Sequence, residues 1–232
     1  MIMLKKDLIT RHPLGIQGDE MDIISDGEFG AVLSRAGVGK TAFLVQLALN
    51  AMLRNRNVLH ISLNDPVDKI TLWYKELYNH LAQRHAIEQA GQIWESLLPH
   101  RFIMTFRVAE FSVPRLRERL ADLTGQDIFH PDMVIIDGLK FNETTIECLT
   151  ELKGLAKEQS FFTWFSVHTH RHEETVSSSI PPPLQDVEDL FDVALQLQPA
   201  GTDIHIKPLK GPSKVTSGLP HLTLDASSML IK

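Results

Sequence analysis

The chain has 232 residues, 43% of them hydrophobic and 22% charged, with a formal net charge of −6 and a single cysteine, Cys148. That is enough chain and enough apolar content for one globular domain with a sizeable core, and the lone cysteine excludes an internal disulfide and fits a reducing compartment. The acidic balance weighs against a dedicated nucleic-acid binder. No apolar run approaches the roughly 18 residues of a membrane span, and the opening MIMLKKDLITRHP carries no apolar run behind its lysines. No membrane association and no signal peptide are expected, and the cytoplasm is the expected location.

In chain order, residues 1–24 mix charges with Pro13, Gly15 and Gly18 and read as an arm, and residues 25–232 read as the domain. The apolar run Phe29-Gly30-Ala31-Val32-Leu33 predicts a buried first strand. It leads into Ser34-Arg35-Ala36-Gly37-Val38-Gly39-Lys40-Thr41 and then the helical AFLVQLALNAML. A strand, a loop closing in Gly-Lys-Thr and a helix form the context of a phosphate-binding loop. Gly37 and Gly39 let the backbone fold back so that N–H groups of Ala36 to Ala42 converge on phosphates, and the helix adds its positive N-terminal end. Lys40 is placed to reach the β- and γ-phosphates, and the Thr41 hydroxyl to ligate Mg²⁺. The pattern G-x-x-x-x-G-K-[ST] begins with glycine, whereas Ser34 stands there, so the entry to the loop is expected to differ.

Asn57 to Asn64, NVLHISLN, predicts the second strand, and residues 66–98 read as helical, with Ile70, Trp73, Leu77 and Leu81 at helical spacing. Trp73, Tyr74, Tyr78 and Trp94 read as packing residues. A short strand is expected at 101–106, then a helix with Ser112 as its cap and Gly125 near its end, whose run Arg115 to Arg119 reads as a solvated face. Met133 to Ile136 predict a buried strand that delivers Asp137 to its carboxyl end, where α/β ligand sites lie and where a carboxylate completes a Mg²⁺ shell. A helix over 143–159 and a strand over 161–169 follow, then the polar, proline-rich 173–183 as a long loop. His168, His170 and His172 alternate, but without a companion cysteine or acid cluster the reading as a metal site is the weaker one. The tail, with DVALQLQP, DIHIKPLK and LTLDASSMLIK, predicts short antiparallel strands at one sheet edge.

The order of these features resembles the RecA/KaiC-like P-loop ATPases, relatives of RadA and of DnaB-type ATPase domains, over roughly residues 20–232. The resemblance implies an α/β fold: a three-layer P-loop NTPase of RecA-like type, mostly parallel in its central sheet, with an antiparallel β-rich C-terminal tail. It implies ATP and Mg²⁺ as ligands and a homo-oligomer, ring or filament, with nucleotide near the subunit interface. In that family a Glu at the end of the second strand polarises the attacking water, and here Asn64 and Asp65 stand there. An amide orients water without accepting its proton, leaving Asp65 as the substitute base, or Asn64-Asp65-Pro66 as a cap for the next helix. His168 falls at the position that senses the γ-phosphate, with a satisfied histidine near the core as the alternative. Lys207 and Lys210 fall on the hairpin that reaches a neighbour's nucleotide, or else simply on a solvated edge.

Three functions follow as expectations. The first is an ATP-binding protein with Mg²⁺-dependent, slow ATP hydrolysis coupled to conformational change or assembly. The second is a nucleotide-responsive regulatory module without significant hydrolysis, with a protein partner left open. The third, DNA binding in the recombinase manner, is disfavoured because Glu173 and Glu174 oppose phosphate contact. No N-K-x-D-like guanine signature is present, which favours ATP over GTP.

Overall fold

The computed structural model describes residues 23–141, 145–169, 180–218 and 222–232. Residues 1–22 of the expected arm, 173–179 of the expected loop, and His170 and His172 lie outside the described residues. The described strands are β1 (Phe29–Ser34), β2 (Val58–Ser62), β3 (Arg101–Thr105), β4 (Met133–Asp137), β5 (Phe162–His168), β6 (Val193–Ala200), β7 (Asp203–Lys210) and β8 (Thr223–Asp225). They form one sheet in the order β3-β2-β4-β5-β1-β6-β7-β8. The pairings from β3 through to β6 are parallel, and β7 and β8 add antiparallel at one edge; the tail sequence predicts antiparallel strands throughout, but its first strand, β6, joins β1 in parallel.

The helices are α1 (Lys40–Leu53), α2 (Val67–Arg84), α3 (Ala90–Leu97), α4 (Val113–Gly125), α5 (Thr145–Glu158) and the short α6 (Pro182–Gln185) and α7 (Ser213–Gly218). Two apolar cores flank the sheet. One packs α1, α2 and α3 against Val58, Met133, Ile135, Phe162 and Trp164. The other packs α4 and α5 against Leu59, Ile61, Val134, Ile136 and Phe165. Successive strand residues point to opposite faces, which fixes where the polar residues go. Asp137 follows Met133 and Ile135 on the α1 face, Ser62 follows Val58 and His60, Ser166 follows Phe162 and Trp164, and Ser34 follows Val32.

The predicted helix over 66–98 is two helices. α2 ends at Arg84, Ala86 turns at φ 50°, and α3 restarts at Ala90. No glycine or proline marks that break. Tertiary contacts make it: the Tyr78 hydroxyl donates to Ala90 O at 2.7 Å, its ring packs 5.1 Å from Trp94, and Arg84 Nη1 donates to Ile231 O at 2.6 Å. Ser112 does occupy the N-cap of α4, but its side chain makes no capping hydrogen bond.

His60 is buried in the middle of the sheet, its Nδ1 3.1 Å from the Tyr74 hydroxyl and its Nε2 without a hydrogen-bond partner. Burial pushes its pKa down to about 4; Asp137 opposes that shift and Arg101 reinforces it. The unfolded chain therefore takes up a proton near pH 6.5 that the folded chain refuses. Stability is expected to be full above about pH 6.5 and to fall as pH drops toward 4, by an amount on the order of 3 kcal/mol. Urea denaturation of the protein and of His60→Phe at pH 7 and 4.5 checks this; an equal pH slope in both would remove His60 as the cause.

Candidate functional site

The carboxyl ends of β1, β2, β4 and β5 meet at a cleft of about 880 Å³. Ala36, Gly37, Lys40, Thr41, Asn64, Asp65, Asp137 and His168 all border it. The sequence expectations thus converge on one place. Ser34 needs no left-handed backbone, because it is the last, buried residue of β1; the turn itself is made by Gly37 at φ 77° and Gly39 at φ 111°. Gly39 is the N-cap of α1, and Phe43 N donates to Gly39 O at 2.9 Å as the helix begins. The N–H groups of Lys40, Thr41 and Ala42 precede that first bond, and no acidic side chain occupies the first turn. Val38 packs against the core and Ala42 is fully buried, so these two would meet a ligand through backbone alone.

Lys40 is anchored at the loop's entrance. Its ammonium donates to Ser34 O at 2.9 Å, Arg35 O at 3.0 Å and Ser34 Oγ at 3.3 Å. Burial lowers its pKa below the ordinary lysine value, and the Asp137 carboxylate pulls it partly back. Asp137 joins three elements. Thr41 Oγ1 donates to its Oδ2 at 2.7 Å, Ser166 Oγ donates to its Oδ1 at 2.5 Å, and Gly138 N donates to Ser166 Oγ at 2.9 Å. A hydroxyl and a carboxylate at this spacing are hard oxygen donors of the kind Mg²⁺ takes.

The end of β2 forms the opposite wall. Ser62 Oγ accepts from Asp65 N at 3.0 Å and donates to Asp65 O at 2.8 Å, a tight turn that sets Asn64 and Asp65 at the cleft. The Asn64 amide rests on Gly138: a Cβ there would lie 2.1 Å from Asn64 Nδ2. The N-cap of α2 is Pro66, with no side-chain cap bond, and Asp65 instead pairs with Lys69 at 2.9 Å. That ion pair leaves the carboxylate partly engaged. His168, at the end of β5, is exposed at the cleft border rather than packed in the core.

Lys207 and Lys210 are not among the residues bordering the cleft. Lys210 donates to Glu188 O of its own chain at 2.8 Å. Sequence reasoning missed Ser166 and Gly138. Alternation along FTWFSVH puts Ser166 on the Asp137 face, but only the β4–β5 register, with Ile136 opposite Phe165, makes them neighbours. No protein-family model matches the chain, and no curated protein matches it. Among the described residues no helix is long and apolar enough to cross a membrane.

Ser166→Ala removes one of the two hydroxyls on Asp137 and leaves Gly138 N without its acceptor. A loss of about 1–2 kcal/mol is expected for this part-buried site. Thermal unfolding of the variant checks it; an unchanged midpoint would mean that water replaces the hydroxyl in full.

Proposed function

We propose that the cleft binds ATP with Mg²⁺ and that the chain is a P-loop NTPase of the RecA/KaiC-like type. The observation that supports this most is the joint placement of Lys40 and the start of α1 beside a Thr41–Asp137 pair 2.7 Å apart. The loop and helix N-terminus offer donors and positive potential to the phosphates. Lys40 adds a point charge, while Thr41 and Asp137 would hold the metal, directly or through water. Mg²⁺ would neutralise the charge that develops on the phosphates. Isothermal titration with ATP, with and without Mg²⁺, is the test: saturable binding strengthened by Mg²⁺ is expected, and no heat in either condition ends the proposal.

Turnover is a separate matter. Asn64 sits where a base is wanted but has no basic group, and the Asp65 carboxylate is drawn toward Lys69 rather than toward the cleft centre. Slow hydrolysis follows, with Asp65 or a neighbouring subunit completing the site in a ring or filament. The same observation favours a second reading, in which the protein binds ATP as a switch for assembly or partner binding and turns over negligibly. Asn64→Glu distinguishes the two. A basic carboxylate in this place is expected to raise phosphate release by about 100-fold, the lower end of general-base effects. A parent protein that binds ATP without measurable release, with a variant that hydrolyses, establishes the switch; a variant no faster than its parent removes Asn64 as the limiting residue.

A further inference from the structure

A second crevice, of about 860 Å³, opens beside the first and shares Asn64 and Asp65 with it. Its origin is topological. The chain leaves β2 toward α2 on one face of the sheet, and leaves β3, the neighbouring strand, toward α4 on the opposite face. Strand ends whose connections diverge in this way open a ligand crevice at the carboxyl edge of a parallel sheet. The 64–66 turn, running to α2 between the ends of β3 and β4, partitions the edge into two sites.

The lining of this second crevice is unlike that of the first. Met104 and Phe106, both half-buried, supply an apolar floor over the buried Leu63, and Arg107, Arg115 and Arg119 stand around it. The guanidinium groups are loosely held. Glu110 lies 3.8 Å from Arg107 and 3.9 Å from Arg115, and Asp122 lies 3.8 Å from Arg119, all beyond hydrogen-bond length. Arg115 also donates to Glu110 O at a long 3.4 Å. Of the other acids in the crevice, Asp65 is occupied by Lys69 at 2.9 Å, and Glu118 lies on α4 between Arg115 and Arg119. The planar forks therefore keep most of their donors for carboxylates that arrive from outside, where a shorter, bidentate geometry would displace the long contacts to Glu110 and Asp122.

We propose that this crevice docks a short segment of a partner protein in which carboxylates alternate with apolar side chains. The carboxylates engage Arg107, Arg115 and Arg119, and the apolar side chains cover Met104 and Phe106. A small free oxyanion would satisfy the arginines and leave the floor wet, and a purely acidic segment would meet Glu118 without any apolar gain. Lys40 borders the first cleft and not this crevice, so docking does not call on it.

The test is fluorescence anisotropy of a labelled acetyl-Glu-Leu-Glu-Phe-Glu-Leu peptide with the full chain at constant ionic strength. Saturable binding is expected, weakened at least tenfold in the Arg115→Glu/Arg119→Glu variant, whose changed side chains are exposed and leave the fold intact by circular dichroism. The same peptide with Ser for Leu and Phe is expected to bind at least fivefold more weakly, and Lys40→Ala to bind the parent peptide unchanged. No saturable binding, or binding indifferent to the arginine changes, overturns the proposal. So does equal binding of the Ser peptide or full displacement by equimolar citrate, since either makes this a small-anion site. Loss of peptide binding in Lys40→Ala would put the peptide in the first cleft and overturn it as well.

Discussion

Lys40→Ala is expected to weaken ATP binding by at least about 100-fold while leaving the protein folded. The ammonium is part-buried and already held by three oxygens of Ser34 and Arg35, so it is positioned before any ligand arrives. Hydrogen bonds from a charged group contribute about 1.5–3 kcal/mol each, and one or two lost to the phosphates account for a 100-fold change. The cost to the fold is smaller, because Ser34 O and Arg35 O remain near enough to the cleft for water to replace the ammonium. The pH dependence follows from the same burial. Since desolvation lowers the Lys40 pKa, the cation is lost at a pH below the ordinary lysine value of 10.5. Affinity for ATP should therefore be constant near neutrality and fall as pH rises toward that range, and the fall should be absent in Lys40→Ala. Titration calorimetry across pH 7–10, with thermal unfolding as the control for folding, measures both effects. An unaltered dissociation constant in the variant would remove Lys40 from phosphate binding and, with it, the main support for the proposed function.

Much of this arrangement was legible in the sequence because it depends on local signals. Phe29 to Thr41 announces a strand, a glycine turn and a helix within a short span, and Met133 to Asp137 announces a buried strand with an acid at its end. Each of these is decided by neighbours in the chain. The residues that escaped depend on neighbours far apart in the chain. Ser166 matters because β5 lies next to β4 in a particular register, and Gly138 because the Asn64 amide occupies the space of its missing Cβ. The break between α2 and α3 likewise has no local mark, since it is drawn by Tyr78 and Arg84 reaching other elements. Lys210 adds another such partner: its ammonium donates to Glu188 O, a contact that its place in the tail sequence does not announce.

Gly30→Val is expected to cost at least about 3 kcal/mol, contrary to the usual gain of roughly 0.5–1 kcal/mol when a strand glycine acquires a side chain. Gly30 pairs with Trp164 across β1 and β5, and a Cβ on Gly30 would lie 2.6–2.7 Å from three atoms of the indole. The ring cannot withdraw, since it is 2% exposed and packed within the core shared with α1. The valine must therefore push the two central strands apart or force the indole off its rotamer. Both strands end at the cleft. β1 and the residue that follows it carry the Ser34 and Arg35 oxygens that hold Lys40, and β5 carries the Ser166 hydroxyl that holds Asp137. The strain therefore reaches the cleft as a relative displacement of its two halves, so a variant that still folds should also bind ATP more weakly. A second change, Trp164→Leu, creates the missing room and is expected to return at least half of the lost stability in the Gly30→Val background, while destabilising the parent protein by leaving a cavity. Urea midpoints of the two single variants and the double variant decide it. Simple additivity would show that the two side chains do not compete for one volume, and the close approach of Gly30 to the indole would then have no bearing on how the cleft is held.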